Sequence, residues 1–234
     1  MLPCEESNGG IFTWAGTDPD QPPSWALPNL FPTATPALRF NRIEIGTHPQ
    51  EILENNVDTA HLYPLHGFPE CAVPEGPASD GHVFTVSLRV TRTVPPFGAV
   101  SGDTTISLYG LGLMHLVVTA PGQQWQIDVV ASTRPVAPWR TELLLGVAMN
   151  IDATKGPLSW VPRQAMTVLA AALTRLNLVA VLKIMDQDIP VWETKRYTSP
   201  PRLGHSDGPI GPYRKWAQQF YPTTPNRREP TEQG

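Results

Sequence analysis

Asp58, His61 and His66 fall within nine residues of one another in Glu51–Gly67, EILENNVDTAHLYPLHG. Neutral imidazoles with a carboxylate are the donors of a divalent iron site, and two His plus one carboxylate leave the opposite face of the metal open to oxygen and substrate. The carboxylate is either Asp58 or one supplied from elsewhere in the chain. Asn55, Asp58 and His61 are three apart and form a helical stripe, but His66 lies five beyond His61, about 140° round an ideal helix. A straight helix does not aim both rings at one metal. Pro64 removes the amide that would bond Ala60 and crowds that carbonyl, so a bend is expected there, bringing His66 onto the metal face. Taken alone, a His pair on a helix is more often solvated or hydrogen-bonded than a ligand set.

The elements that must position these residues follow from pattern. Helix is expected over Pro49–Leu65, after an alternating strand at Leu38–Gly46, LRFNRIEIG. Five further strands are expected at His82–Arg92, Thr104–Tyr109, Gly112–Thr119, Gln124–Ser132 and Thr141–Met149. Val83–Val90 alternates apolar and polar residues as in a sheet with one covered face. Breaks at Tyr109-Gly110 and Pro121-Gly122 suit an antiparallel meander. Inward side chains of this sheet, with Leu88, Leu108, His115 and Ile127 as candidates, would form a substrate wall. The longest helical stretch, Pro162–Asp188, repeats apolar residues at Met166, Leu169, Ala170, Leu173, Leu176, Val179, Ala180 and Leu182. These spacings make a face that covers the sheet, and the helix delivers Asp188 at its end. Strands followed by a long helix read as an α+β fold.

Composition narrows the function classes. The 234 residues suffice for one sizeable domain or a small pair, and a formal net charge of −4 with both signs dispersed offers no basic patch for nucleic acid. Proline is common, 27 residues, many in Gln21–Pro36 and Ser199–Pro212, which predicts long stiff connections. Met1–Gly10 is polar and acidic, unlike a signal peptide. The most apolar stretch, Val168–Met185, is interrupted by Thr174, Arg175, Asn177 and Lys183, so a buried amphipathic helix is expected, no membrane span, and a cytoplasmic location. No Gly-rich phosphate loop and no Ser-His-Asp or Cys-His context points to nucleotide transfer or acyl hydrolysis. His48, His82, His115 and His205 lack a partner at ligand spacing and are expected in solvated or hydrogen-bonded roles. Trp192 and Trp216 either line a pocket or pack the core.

The spacing Asn55-x2-Asp58-x2-His61-x4-His66, closed by Gly67, resembles the mononuclear-iron motif of Rieske non-heme iron oxygenases. Gln187-Asp188-Ile189-Pro190-Val191-Trp192 with Lys195-Arg196-Tyr197 is similar to the segment that carries this family's third ligand. Asp207-Gly208-Pro209-Ile210, Tyr213-Arg214-Lys215-Trp216 and Gln219-Phe220-Tyr221 resemble the C-terminal signature of the branch containing 3-ketosteroid 9α-hydroxylase oxygenases and cholesterol 7-desaturases. The resemblance runs from Cys4 to Tyr221. It implies a helix-grip fold, an antiparallel sheet gripping helices with Fe(II) between, and His61, His66 and Asp188 as the metal ligands. Asp186, two residues before Asp188, is the competing carboxylate and is assigned to solvent. Asp58 is implied to lie beside His61 and link it to an incoming electron carrier rather than bind metal. Asn55 orients Asp58 or lies near the metal without binding it.

The resemblance also implies division and partners. Residues 1–36 read as the junction left from a Rieske domain plus a Pro-rich connection, 37–222 as the mononuclear-iron catalytic domain and 223–234 as a flexible tail. Glu5–Trp14 resembles the strand that ends a Rieske domain. A 2Fe–2S Rieske cluster needs Cys-x-His and Cys-x2-His pairs; Cys4 and Cys71, expected as free thiols, have no His at those offsets. The cluster is therefore expected only in trans or on a portion not in this sequence, through a late start, a split system or decay. Implied partners are a ferredoxin or reductase feeding that cluster, O2, an apolar and steroid-like substrate, and neighbouring subunits of a trimer. The alternative expectation is a non-catalytic helix-grip domain binding an apolar ligand, or an inactive partner subunit. A third, iron chemistry with another reductant, keeps the triad without a cluster.

Overall fold

The computed structural model describes residues 3–14, 22–31, 37–94, 98–152, 159–204 and 206–221; the expected tail at 223–234 and His205 lie outside them. At the start, β1 (Cys4–Ser7) and β2 (Gly10–Thr13) form an antiparallel hairpin where a single strand was expected. The turn is Asn8-Gly9, with φ of 52° and 79°. Asn-Gly tolerates two successive positive φ values and so matches the twist of a two-residue hairpin.

Alternation of side chains accounts for most of the chain from Arg39 to Ile151. The strands are β3 (Arg39–Ile45), β4 (Glu70–Ala72), β5 (Ala78–Asp80), β6 (Val83–Val94), β7 (Gly98–Tyr109), β8 (Leu113–Thr119), β9 (Trp125–Ala137) and β10 (Arg140–Ile151). They pair antiparallel in the order β3-β10-β9-β8-β7-β6-β4, with β5 also on β6. The meander expected from Gly110 and Pro121-Gly122 is present. Two pieces escaped the pattern: β4 and β5, three mostly exposed residues each, are too short for a period. β9 also runs on through Pro135 to Ala137, tolerated because the β9–β10 register shifts beside that residue.

Register aligns Val86, Ile106, Leu116, Val129 and Val147 in one row across five strands. This concave face is gripped by helices. The motif region contains two short helices rather than one: α1 (Pro49–Glu54) and α2 (Leu62–His66). The last long element, α3 (Arg163–Thr194), runs along the sheet, and α4 (Ile210–Ala217) closes one end, Tyr213 meeting Phe84 edge to face and Trp216 packing against it at a tilt. The architecture is an α+β helix-grip.

Two expectations for α3 are corrected. Asp188 is not at its end, because the helix continues past Pro190 to Thr194. Buried Trp192 and a hydrogen bond from the Gly46 amide to Glu193 Oε1 (3.3 Å) hold this last turn down, offsetting the amide that proline lacks. The apolar face is also drawn differently. Thr174 faces inward and accepts a bond from the Met149 amide (3.0 Å), whereas Leu169, Leu176 and Val179 are exposed. By length and composition alone α3 could cross a membrane; in this fold it lies along the sheet.

Candidate metal centre

The site is built on a helix that stops early. His48 Nδ1 caps α1 by accepting from the Gln50 amide (3.2 Å), and the chain leaves the helix at Asn55–Val57 with Asp58 N still bonded to Glu54 O (3.1 Å). Asp58 then turns the chain by accepting the Ala60 amide on Oδ1 (3.0 Å). The break therefore precedes His61, and the bend expected at Pro64 is not the device. Pro64 sits in the first turn of α2, where its missing amide has no helical partner to lose. Gly67, at φ 68°, ends α2 as a left-handed cap. His61 and His66 flank this one short helix, and their rings meet edge to face with centroids 5.1 Å apart.

The third residue arrives from α3. One donor atom from each of His61, His66 and Asp188 lies within 4.8 Å of the others. His66 Nδ1 is 2.8 Å from Gln187 Oε1, so Nδ1–H donates to the amide oxygen and Nε2 presents its lone pair. That lone pair faces Asp188 Oδ1 at 3.2 Å without hydrogen-bond alignment. Asp188 Oδ1 and His61 Nδ1 are both buried with no hydrogen-bond partner. His66 Nε2 and Asp188 Oδ1, acceptors turned toward one another without a shared proton, are costly to bury, and a cation between them removes the cost. Burial pushes the Asp188 carboxyl up, against the pull of His66, His61 and an Asn55 hydrogen bond. Burial likewise pushes His61 down despite Asp58 and Asp188, favouring the neutral imidazole that a metal requires. The donor set thus fits a divalent iron.

Asp58 stands outside this triad. Its Oδ2 lies 3.8 Å from His61 Nδ1, beyond hydrogen-bond length, and its side chain is 29% exposed. Asp186 is exposed whereas Asp188 is 2% exposed, which separates the two competing carboxylates. Asn55 stands on the Asp188 side of the centre, where its amide helps to hold that carboxyl down. His48 caps α1, His82 stacks on Trp25 and His115 bonds Asp128 (2.9 Å), so none of these joins the centre.

Beside the triad a cavity of about 340 Å³ opens between sheet and α3. Leu88 and Ile127 line it, as do Leu116, Val129 and Trp192. Two of the wall candidates do not. Leu108 lies fully within the core and His115 points to the opposite face, its neighbours Met114 and Leu116 facing the cavity. Trp216 packs in the core and donates to Gly81 O (3.0 Å).

Residues 13–221 match the family model described as the 3-ketosteroid 9alpha-hydroxylase C-terminal domain. The chain belongs to this family. A cholesterol 7-desaturase of Ciona intestinalis is 26% identical over 94% of this chain and 48% of its own length. A probable 3-ketosteroid-9-alpha-monooxygenase oxygenase component of Rhodococcus rhodochrous is 26% identical over 94% and 56%. The chain thus spans about half the length of these curated relatives. Among solved structures, NdmA of Pseudomonas putida CBB5 (QL mutant with theobromine) superposes with TM-score 0.64 at 16% identity, covering 93% of this chain and 60% of that one, a likeness of fold.

Within this 3-ketosteroid 9α-hydroxylase C-terminal domain, the structure adds residues that spacing did not single out. Gln187 orients His66. Glu54, 1% exposed, is clasped by Arg214 (Nε–Oε2 2.5 Å, Nη2–Oε1 2.8 Å) and Lys195 (2.8 Å), tying α1 to the end of α3 and to α4. Gly208 lies so close to the motif turn that a Cβ there would fall 1.8 Å from Val57 O. All five residues stood in quoted signatures or the motif stretch; their partners, over a hundred residues away, had no local signal.

Proposed function

We propose that this chain is the catalytic portion of a Rieske-type oxygenase that hydroxylates or desaturates an apolar, steroid-like substrate. The observation that carries it is the His61–His66–Asp188 cluster, with the buried Asp188 Oδ1 left without a hydrogen-bond partner, opening on an apolar cavity. Fe(II) held by these three residues would supply O2 activation, with electrons from a Rieske cluster on another chain or on a portion outside this sequence. The chain's own residues do the rest. Gln187 fixes the His66 tautomer so that Nε2 is a ligand atom, and Asn55 holds the Asp188 carboxylate. Asp58, beside His61 and partly exposed, is the route for the incoming electron. The sheet and α3 exclude water and position an apolar body against the triad. The substrate class is drawn from the steroid-directed names of the relatives and fits an apolar wall. A trimer with the cluster of one subunit facing Asp58 of the next belongs to the same proposal, as does a cytoplasmic location.

The test is the iron content of anaerobically purified protein, with His61→Ala as control. About one iron per chain, lost in the control, supports the reading. Absence of iron after anaerobic Fe(II) reconstitution transfers the assignment to an apolar-ligand-binding or inactive subunit.

A further inference from the structure

The outer face of α3 is an apolar stripe without cover among the described residues. Val168 is 70% exposed, Leu169 41%, Leu176 66% and Val179 53%, with Ala172 exposed between them. Spacings of three and four place these residues on one side, the side opposite Met166, Thr174, Asp188 and Trp192. The stripe is about 17 Å long at the rise of an α-helix. Trp160, 80% exposed, precedes it. Only 11% of the most apolar 18 residues of α3 are buried.

Over the turns of the stripe, Arg175 and Lys183 are exposed on it, and the first acidic residue of α3, Asp186, is exposed on the same side one turn beyond Lys183. We infer that α3 is a docking surface for an anionic lipid bilayer, lying in the interface with its aliphatic residues in the acyl boundary. Arg175 and Lys183 have stems long enough to pack along apolar surface while their charges reach phosphates. Trp160 has the ring that favours the headgroup level. An anionic surface supplies Arg175 and Lys183 with the countercharge that α3 itself does not offer before Asp186. The helix lies on the bilayer and does not cross it, because Thr174 and Trp192 fasten its other side to the sheet and core. On that other side Ala180, Val181 and Ile184 line the apolar cavity. One helix thickness, about 10 Å, therefore separates the lipid from the site, and a bilayer concentrates apolar molecules there.

This docking needs no iron, so it stands or falls apart from the oxygenase reading. The full chain is floated with vesicles of phosphatidylcholine alone and of phosphatidylcholine mixed with phosphatidylglycerol. Binding to the mixed vesicles is expected, at least tenfold weaker on the neutral ones and reduced by salt. Replacing Arg175 and Lys183 by Gln should weaken it about fivefold each. The double variant Leu176→Glu, Val179→Glu should abolish it at an unchanged melting temperature, since both side chains are exposed. No flotation by the wild type, or flotation that the double variant retains, overturns the inference. So does concentration-dependent self-association, read by analytical ultracentrifugation, that the double variant removes, for then the stripe belongs to a second copy.

Discussion

His66 is held by Gln187 at Nδ1 with Nε2 facing Asp188, while His61 has Asp58 nearby and no bond on Nδ1. Different supports predict different losses. His66→Ala or His61→Ala should empty the site of iron with the circular dichroism unchanged. Asp58→Ala should keep iron and lose reductase-coupled turnover, and an iron-free Asp58→Ala protein would overturn the division of roles. Gln187→Leu frees the His66 ring to change tautomer and should weaken Fe(II) affinity about 10–100-fold, measured by competition with a chelator. At this scale the motif residues were readable because each ligand type is rare on a helix at that spacing. The partners were not, because a hydrogen bond between residues 66 and 187 leaves no local mark.

Between elements, the Glu54 clamp connects the motif helix to α3 and α4. Burial pushes the Glu54 carboxyl up, but hydrogen bonds from Arg214 and Lys195 outweigh it and hold it below its ordinary value of 4.5. A carboxyl depressed in the folded state contributes stability above its unfolded pKa and loses it as pH falls through the folded one. The protein should therefore lose stability below about pH 4.5, and Glu54→Gln should flatten that part of the urea-midpoint profile. Arg214→Ala leaves a buried carboxylate short of its main partner and should cost on the order of 3 kcal/mol. Gly208→Ala forces apart the 206–210 loop and the turn at Val57–Thr59, where Thr59 Oγ1 also bonds Ser206 O (3.1 Å). Its cost should be about 1–3 kcal/mol, read as a lower melting temperature together with weaker iron retention, because that turn leads into His61.

For the whole molecule, the cavity makes a prediction independent of metal. An apolar ligand that binds only the folded chain should raise stability by about 2.7 kcal/mol at a hundred times its Kd, iron-free or loaded. Calorimetry with a sterol or ketosteroid series tests this, and a chain that no such ligand stabilises would remove the apolar-substrate reading.

Local physics let the sequence by itself determine the long strands, because side-chain alternation is a period-two signal, and mark His61 and His66 as candidate metal donors, because they sit on one short stretch; Asp188 joined them only through the family resemblance. The α+β class followed from the order of those patterns. Tertiary structure alone decided what depends on distance through space. It buried Asp188 and left Asp186 exposed, broke the motif helix at Asp58 rather than Pro64, and carried α3 past Pro190 because Trp192 and Glu193 are held there. It also turned Leu176 and Val179 outward, since the sheet accepts only one side of a helix and periodicity does not say which.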